Sequence, residues 1–189
     1  TMSRLQTGSG HRLLNGVRRE VTVLSCRLRI PQEVIRKFEN RPDDFIRFTA
    51  SANDLLRKTI LAHQGTVDFG EDGRLLAYWN VPEKIEHPVE KACACALQMI
   101  DDINTLSDNV QTAAFSQSRN RGLDIGFADT TIEIGLSSTM CFAGPVGRGS
   151  RNNYSVIGDA VGIASALRTR ANMYGPTIIT DDIVFDALR

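Results

Sequence analysis

Arg27 and Arg29 fall on alternate positions of an otherwise β-rich, largely apolar run, Val21 to Ile30. Strand geometry puts alternate side chains on one face, so that face is expected to be cationic, which is unusual for a central strand. Two chemistries suit such a pair: ion pairing with acidic neighbours on the sheet, or a grip on phosphate. A second candidate is the run Gly144 to Arg151, where three glycines accompany Arg148 and Arg151. Its composition suits an anion cradle, but it lacks the lysine of a phosphate loop and leads from strand to strand. Asp159 precedes a helical pattern, where its carboxylate can accept from the orphan amides of the first turn. His63 closes another helical pattern with no metal-binding neighbour at ligand spacing, which favours a structural role.

Composition narrows the chemistry. The 189 residues are 42% hydrophobic and 23% charged, the balance of one globular domain. Lys plus Arg and Asp plus Glu number 22 each, a formal net charge of zero, so the electrostatic footprint of a phosphate-backbone binder is missing and nucleic acid is not an expected partner. No apolar run reaches the roughly 20 residues of a membrane-spanning helix, and the first residues lack the apolar stretch of a signal peptide. The four cysteines (Cys26, Cys93, Cys95, Cys141) show no CxxC spacing. A cytoplasmic domain with free, mostly buried thiols is the expectation, with any membrane segment belonging to a larger parent protein.

Positioning these residues requires a recognisable series of elements. Residues 1–18 carry glycines among polar residues without a period and read as a linker or flexible leader, leaving 19–189 as the domain. Val21 to Ile30 is a strand. From Asp43 to Ile60 apolar residues recur at helical spacing, and His63 and Gly65 end the pattern. Thr66 to Asn80 reads as two short strands around Glu71-Asp72-Gly73, since Asp-Gly favours the positive φ angles of a tight hairpin. Pro88 opens a helix whose inward face is Val89, Ala92, Cys93, Ala96, Met99, Ile100, Ile103 and Leu106. Residues 107–122 are polar and aperiodic and read as a surface loop. Ile132 to Ala143 and Tyr154 to Ile157 are strand-like, Ala160 to Tyr174 is helical up to Gly175, and Thr177 to Thr180 is a last strand. The order β-α-β-β-α-β-β-α-β implies an α/β (α+β) fold of the ferredoxin-like split βαβ kind, a mixed, mainly antiparallel sheet with helices on one face.

Several strings along this series resemble one family. Arg19-Glu20-Val21-Thr22-Val23-Leu24, His63-Gln64-Gly65-Thr66-Val67-Asp68 and Ala77-Tyr78-Trp79-Asn80-Val81-Pro82 are similar to segments of the class III adenylate and guanylate cyclase catalytic domain. So are His87 to Leu97, Ile134-Gly135-Leu136 with Ala143-Gly144-Pro145-Val146-Gly147, and Tyr154-Ser155-Val156-Ile157-Gly158-Asp159-Ala160-Val161. The likeness covers about residues 18–182, and it implies closing strands beyond residue 189. It further implies a head-to-tail dimer in which two carboxylates of one subunit hold two divalent metals. These activate the ribose 3′-hydroxyl of ATP or GTP for attack on the α-phosphorus, with pyrophosphate as leaving group. The other subunit supplies base-selecting residues and an Asn and Arg for the transition state.

Carried over position by position, the resemblance places every one of these roles on an altered residue. The first metal-binding Asp falls on Arg27, a permanent cation that repels metal. The second falls on Gly73; Asp72, one residue early, is a shifted candidate ligand or simply a turn residue. The base-selecting positions fall on Phe69, which suits either stacking on a purine or plain packing, and on Ser155, a small hydroxyl as in some bacterial members. The transition-state Asn falls on Gly162 and the Arg on Ala166. No catalytic or metal residue is intact, so the expected function is a dimerising regulatory module in cyclic-nucleotide signalling, a homodimer or a heterodimer with another cyclase-like domain. The alternatives are a weakly active cyclase using Mg or Mn on Asp72, Glu71 or Asp159, and a module that binds an ATP- or GTP-like ligand without turnover.

Overall fold

The computed structural model describes residues 16–69, 73–117, 130–146, 153–174 and 177–189. The chain runs β1 (Val17–Arg29), α1 (Gln32–Lys37), α2 (Pro42–Ala62), β2 (Thr66–Phe69), β3 (Leu75–Trp79), α3 (Pro88–Gln117), β4 (Thr131–Val146), β5 (Asn153–Ile157), α4 (Asp159–Tyr174), β6 (Ile178–Thr180) and α5 (Asp182–Ala187). The expected series is present, with the short helices α1 and α5 added. The sheet order is β2-β3-β1-β4-β5, all antiparallel, and β6 joins β4 in parallel. β4 lies beside β1 from Thr131 to Ala143, while its other edge carries β6 at Ile134–Leu136 and β5 at Phe142–Val146.

The two-residue alternation of β1 divides the core in two. Leu24 and Cys26 face one side, where Ala52, Leu56 and Ile60 of α2 and Ala92, Cys95, Ala96, Met99 and Ile103 of α3 pack on them with Trp79, Ile134 and Leu136. Val21 and Val23 face the other, against Tyr78, Cys141 and Ala143 of the sheet and Ala160 and Ala164 of α4. Helices therefore cover both faces rather than one. α4 lies very close to the sheet: a Cβ at Gly135 would stand 2.1 Å from the carbonyl oxygen of Ala164 and 2.4 Å from the amide nitrogen of Arg168, so only glycine fits there.

Three boundaries differ from the sequence reading. β1 begins at Val17, inside the expected leader, because Val17 and Arg18 pair with Ala143 and Phe142 of β4 and the Arg18 guanidinium lies 6.0 Å from the Phe142 ring centroid. α3 continues to Gln117 through the first part of the expected loop; propagation of an existing helix needs only one residue fixed per bond, and Gln111, Ala113 and Ala114 are good helix formers. Asp159 is the first residue of α4 and exposed, so its carboxylate lies in the first turn, where the helix dipole favours it, rather than outside the helix as a cap. Residues 1–15, Glu71, Asp72 and the 147–152 part of the glycine-rich run lie outside the described residues.

Candidate functional site

β1 is the spine of the site. Its pairing with β3 ends at Cys26 opposite Leu75, while its pairing with β4 continues through Arg27 opposite Glu133 and Arg29 opposite Thr131. Arg27 and Arg29 thus share the α4 side of the sheet at an end that β3 no longer flanks, and both are exposed. This is how a central strand carries two cations. Gly73, with φ of +76°, lies two residues before Leu75, so the two positions to which the resemblance assigns metal ligands, 27 and 73, lie at the same end of neighbouring strands. The left-handed backbone at 73 suits glycine and would strain a carboxylate residue there.

Beneath the Arg168 end of α4 the sheet carries buried polar groups. Arg168, on the buried stripe of α4 with Ala160, Ala164 and Ala171, directs Nη1 to Oε2 of Glu133 at 3.8 Å, with side chains only 9% and 12% exposed. Nη2 of Arg168 donates to Oγ1 of Thr169. The hydroxyls of Ser25 and Ser137 are buried on this side with no hydrogen-bond partner among the described residues. The sequence reading missed this pair. An arginine one turn beyond two buried alanines was the available signal, since a buried guanidinium requires an acid.

The base-selecting positions stand apart. Phe69 ends β2 opposite Leu75 and is about half exposed. Ser155 is half-buried in β5 opposite Gly144. Between them lie three further strands, and Ser155 belongs to the Val17 end of β1 whereas Phe69 belongs to the Cys26 end. Ser155 lines an open cleft of about 420 Å³ with Val17, Phe142, Pro145, Val146 and Ile157. Gly162 and Ala166 lie one turn apart on the exposed side of α4, and a Cβ at Gly162 would meet nothing within 4 Å. Packing therefore leaves position 162 open to any side chain.

The titratable groups nearby are structural. Burial raises the Asp68 carboxyl above its usual range, partly offset by the hydrogen bond from the Phe69 amide. Burial, with Asp68 and Cys141 adding to it, raises the Tyr78 hydroxyl, and burial pushes the Cys95 thiol up to about 12. Cys26 and Cys141 are raised by the same cause, so these thiols are packing groups and not nucleophiles. His63 caps the C-terminal end of α2: Nδ1 lies 2.9 Å from the Thr59 carbonyl, and its own carbonyl accepts from Nε1 of Trp79 at 2.9 Å.

The fit to Mg or Mn is read at positions 27 and 73 alone, since Glu71 and Asp72 lie outside the described residues. A fixed cation at 27 and no side chain at 73 offer no oxygen ligand, and among the described residues no group of three or more His, Cys, Asp or Glu side chains is placed to hold a metal ion.

The sheet order and the α4 overlay are those of class III nucleotide cyclase catalytic domains, whose fold this chain shares. No family model matches the chain. Its sequence resembles Adenylate cyclase 1 of Rhizobium meliloti (strain 1021), with 24% identity over 143 residues; these make up 76% of this chain and 20% of that protein, so the chain spans about a fifth of its curated relative. The adenylyl cyclase CyaB from P. aeruginosa superposes with a TM-score of 0.72 at 18% identity, covering 93% of this chain and 83% of that one. A class III adenylyl cyclase-like ATP-binding protein from Pseudomonas aeruginosa superposes at 0.67 and 16% identity, covering 92% and 35%. Among the described residues no helix is long and apolar enough to cross a membrane.

Proposed function

We propose that this class III cyclase-like domain makes no cyclic nucleotide and acts as a dimerising regulatory module within a larger cytosolic signalling protein. The observation that carries the reading is Arg27: an exposed guanidinium occupies the strand end to which the resemblance assigns a metal carboxylate. Removing that carboxylate removes the Lewis acid, and losing preorganised charge at Gly162 and Ala166 raises the barrier by a few kcal/mol for each group. The apolar side chains of Met140, Phe142, Val146 and Ile157 support dimerisation. They lie exposed around the β4–β5 end, and Phe142 pairs directly with Ile157. A second reading, nucleotide binding without turnover, is favoured by the cleft at Ser155 and by the likeness to a cyclase-like ATP-binding protein.

The test is product formation by the concentrated protein with ATP and with GTP, in Mg and in Mn, alongside sedimentation. No product and a dimer that Phe142→Asp dissociates are the expected results. Cyclic nucleotide that vanishes in Asp72→Ala would replace this reading with an active cyclase whose metal site has shifted by one residue.

A further inference from the structure

We propose that Arg27 and Arg29 form a metal-independent site for an oligophosphate, such as the phosphate tail of a nucleoside triphosphate or free tripolyphosphate. Neither arginine makes an ion pair among the described residues. The acid in register with Arg27, Glu133, is turned under α4 toward Arg168 and is therefore committed elsewhere.

Residues two apart on a strand present their side chains on one face about 6.7 Å apart, a separation that lets two guanidinium groups take neighbouring phosphoryl groups of one chain. Planar guanidinium forks match phosphate oxygens and need no cation to do so. The surrounding charge disfavours an extended polyanion such as nucleic acid, since the whole chain is formally neutral. A divalent cation on the ligand would cancel its charge and bring positive charge to a positive site. The predicted metal response is thus the reverse of that of a site built from carboxylates.

The experiment is titration of the full chain with tripolyphosphate, ATP and orthophosphate, by calorimetry, in EDTA and then in excess Mg. The site predicts binding of tripolyphosphate in EDTA, weakened by Mg, with orthophosphate much weaker. Arg27→Gln and Arg29→Gln each cost about tenfold, the worth of one charge-assisted phosphate contact. Arg47→Gln, an exposed arginine of α2, costs nothing. Equal affinity for ATP and tripolyphosphate assigns recognition to the tail alone; tighter ATP adds the nucleoside. Binding that requires Mg, or that survives both substitutions, or that falls equally in Arg47→Gln, overturns the proposal. Circular dichroism and sedimentation of the Arg27→Gln/Arg29→Gln protein separate the outcomes: a folded dimer that has lost tripolyphosphate shows that the site and the dimer are distinct properties.

Discussion

The two faces of β1 are built on different principles. Toward α2 and α3, Leu24 and Cys26 meet a deep layer of large apolar side chains, among them Trp79, Ile60, Met99 and Leu136. Toward α4 the side chains are smaller, with the backbone of Ala164 and Arg168 resting on Gly135, and the layer contains buried serine hydroxyls and the Glu133–Arg168 pair beside its apolar cluster. The first face supplies the burial that holds the fold, at about 25 cal/mol per Å² of apolar surface. The second adds close approach and charge to a smaller apolar cluster, and it ends in Arg27 and Arg29, which make no ion pair among the described residues. Of the positions to which the resemblance assigns altered residues, Arg27 lies on this second face and Gly162 and Ala166 on the outer side of α4, where changing a side chain costs little apolar packing.

The sharpest way to break the contrast is to remove its buried charge. Arg168→Met leaves the Glu133 carboxylate under α4 without its counter-ion, and the expected loss is about 3 kcal/mol, since an orphaned buried charge is strongly destabilising. Arg168→Met with Glu133→Leu should recover most of that loss, because an apolar pair of similar volume needs no desolvation of charge. Urea denaturation of the two single variants and the double gives the coupling. A single variant as stable as the parent would mean that the α4 face is held by small-residue packing alone.

How far this face could be read from sequence follows from where its information resides. The α2 and α3 face was legible, because apolar residues at helical and strand periods are local signals, and Leu56, Ile60, Ala96, Met99 and Ile103 are buried as their spacing implies. Cys95 joined that layer without being anticipated, and Cys93 is only partly buried. The α4 face was illegible because it depends on register. That Arg27 stands opposite Glu133, and that Arg168 reaches the same carboxylate, is fixed by pairing between distant segments and by the depth to which Gly135 admits α4. The helices α1 and α5 escaped notice because six residues are too few to establish a period.

On the exposed side of α4 the prediction has the opposite sign. Gly162 lies in the helix interior with open space where a Cβ would be, so glycine costs backbone entropy there and gains nothing in packing. Gly162→Ala should stabilise the domain by about 0.5–1 kcal/mol, seen as a raised midpoint in urea with the slope unchanged. A destabilised variant would show that position 162 is occupied in solution by something the single chain does not contain, such as a partner surface.

The smallest effect concerns Asp68, whose carboxyl is raised by burial in front of Tyr78. A carboxyl with a folded pKa above its unfolded value binds its proton more tightly in the native state, so its contribution is complete below the unfolded value of 3.8 and is lost as pH rises through the folded pKa. Asp68→Asn removes the ionisation and keeps the shape. It should raise Tm slightly at pH 7, with the advantage shrinking as the buffer is taken down through the folded pKa and gone below the unfolded one. The half-buried position keeps the effect to tenths of a kcal/mol, because solvent still screens the charge. If the advantage instead grows as pH falls, the Asp68 carboxylate is stabilised in the fold by a positive charge, and a cation reaching it from a neighbouring strand becomes the explanation to pursue.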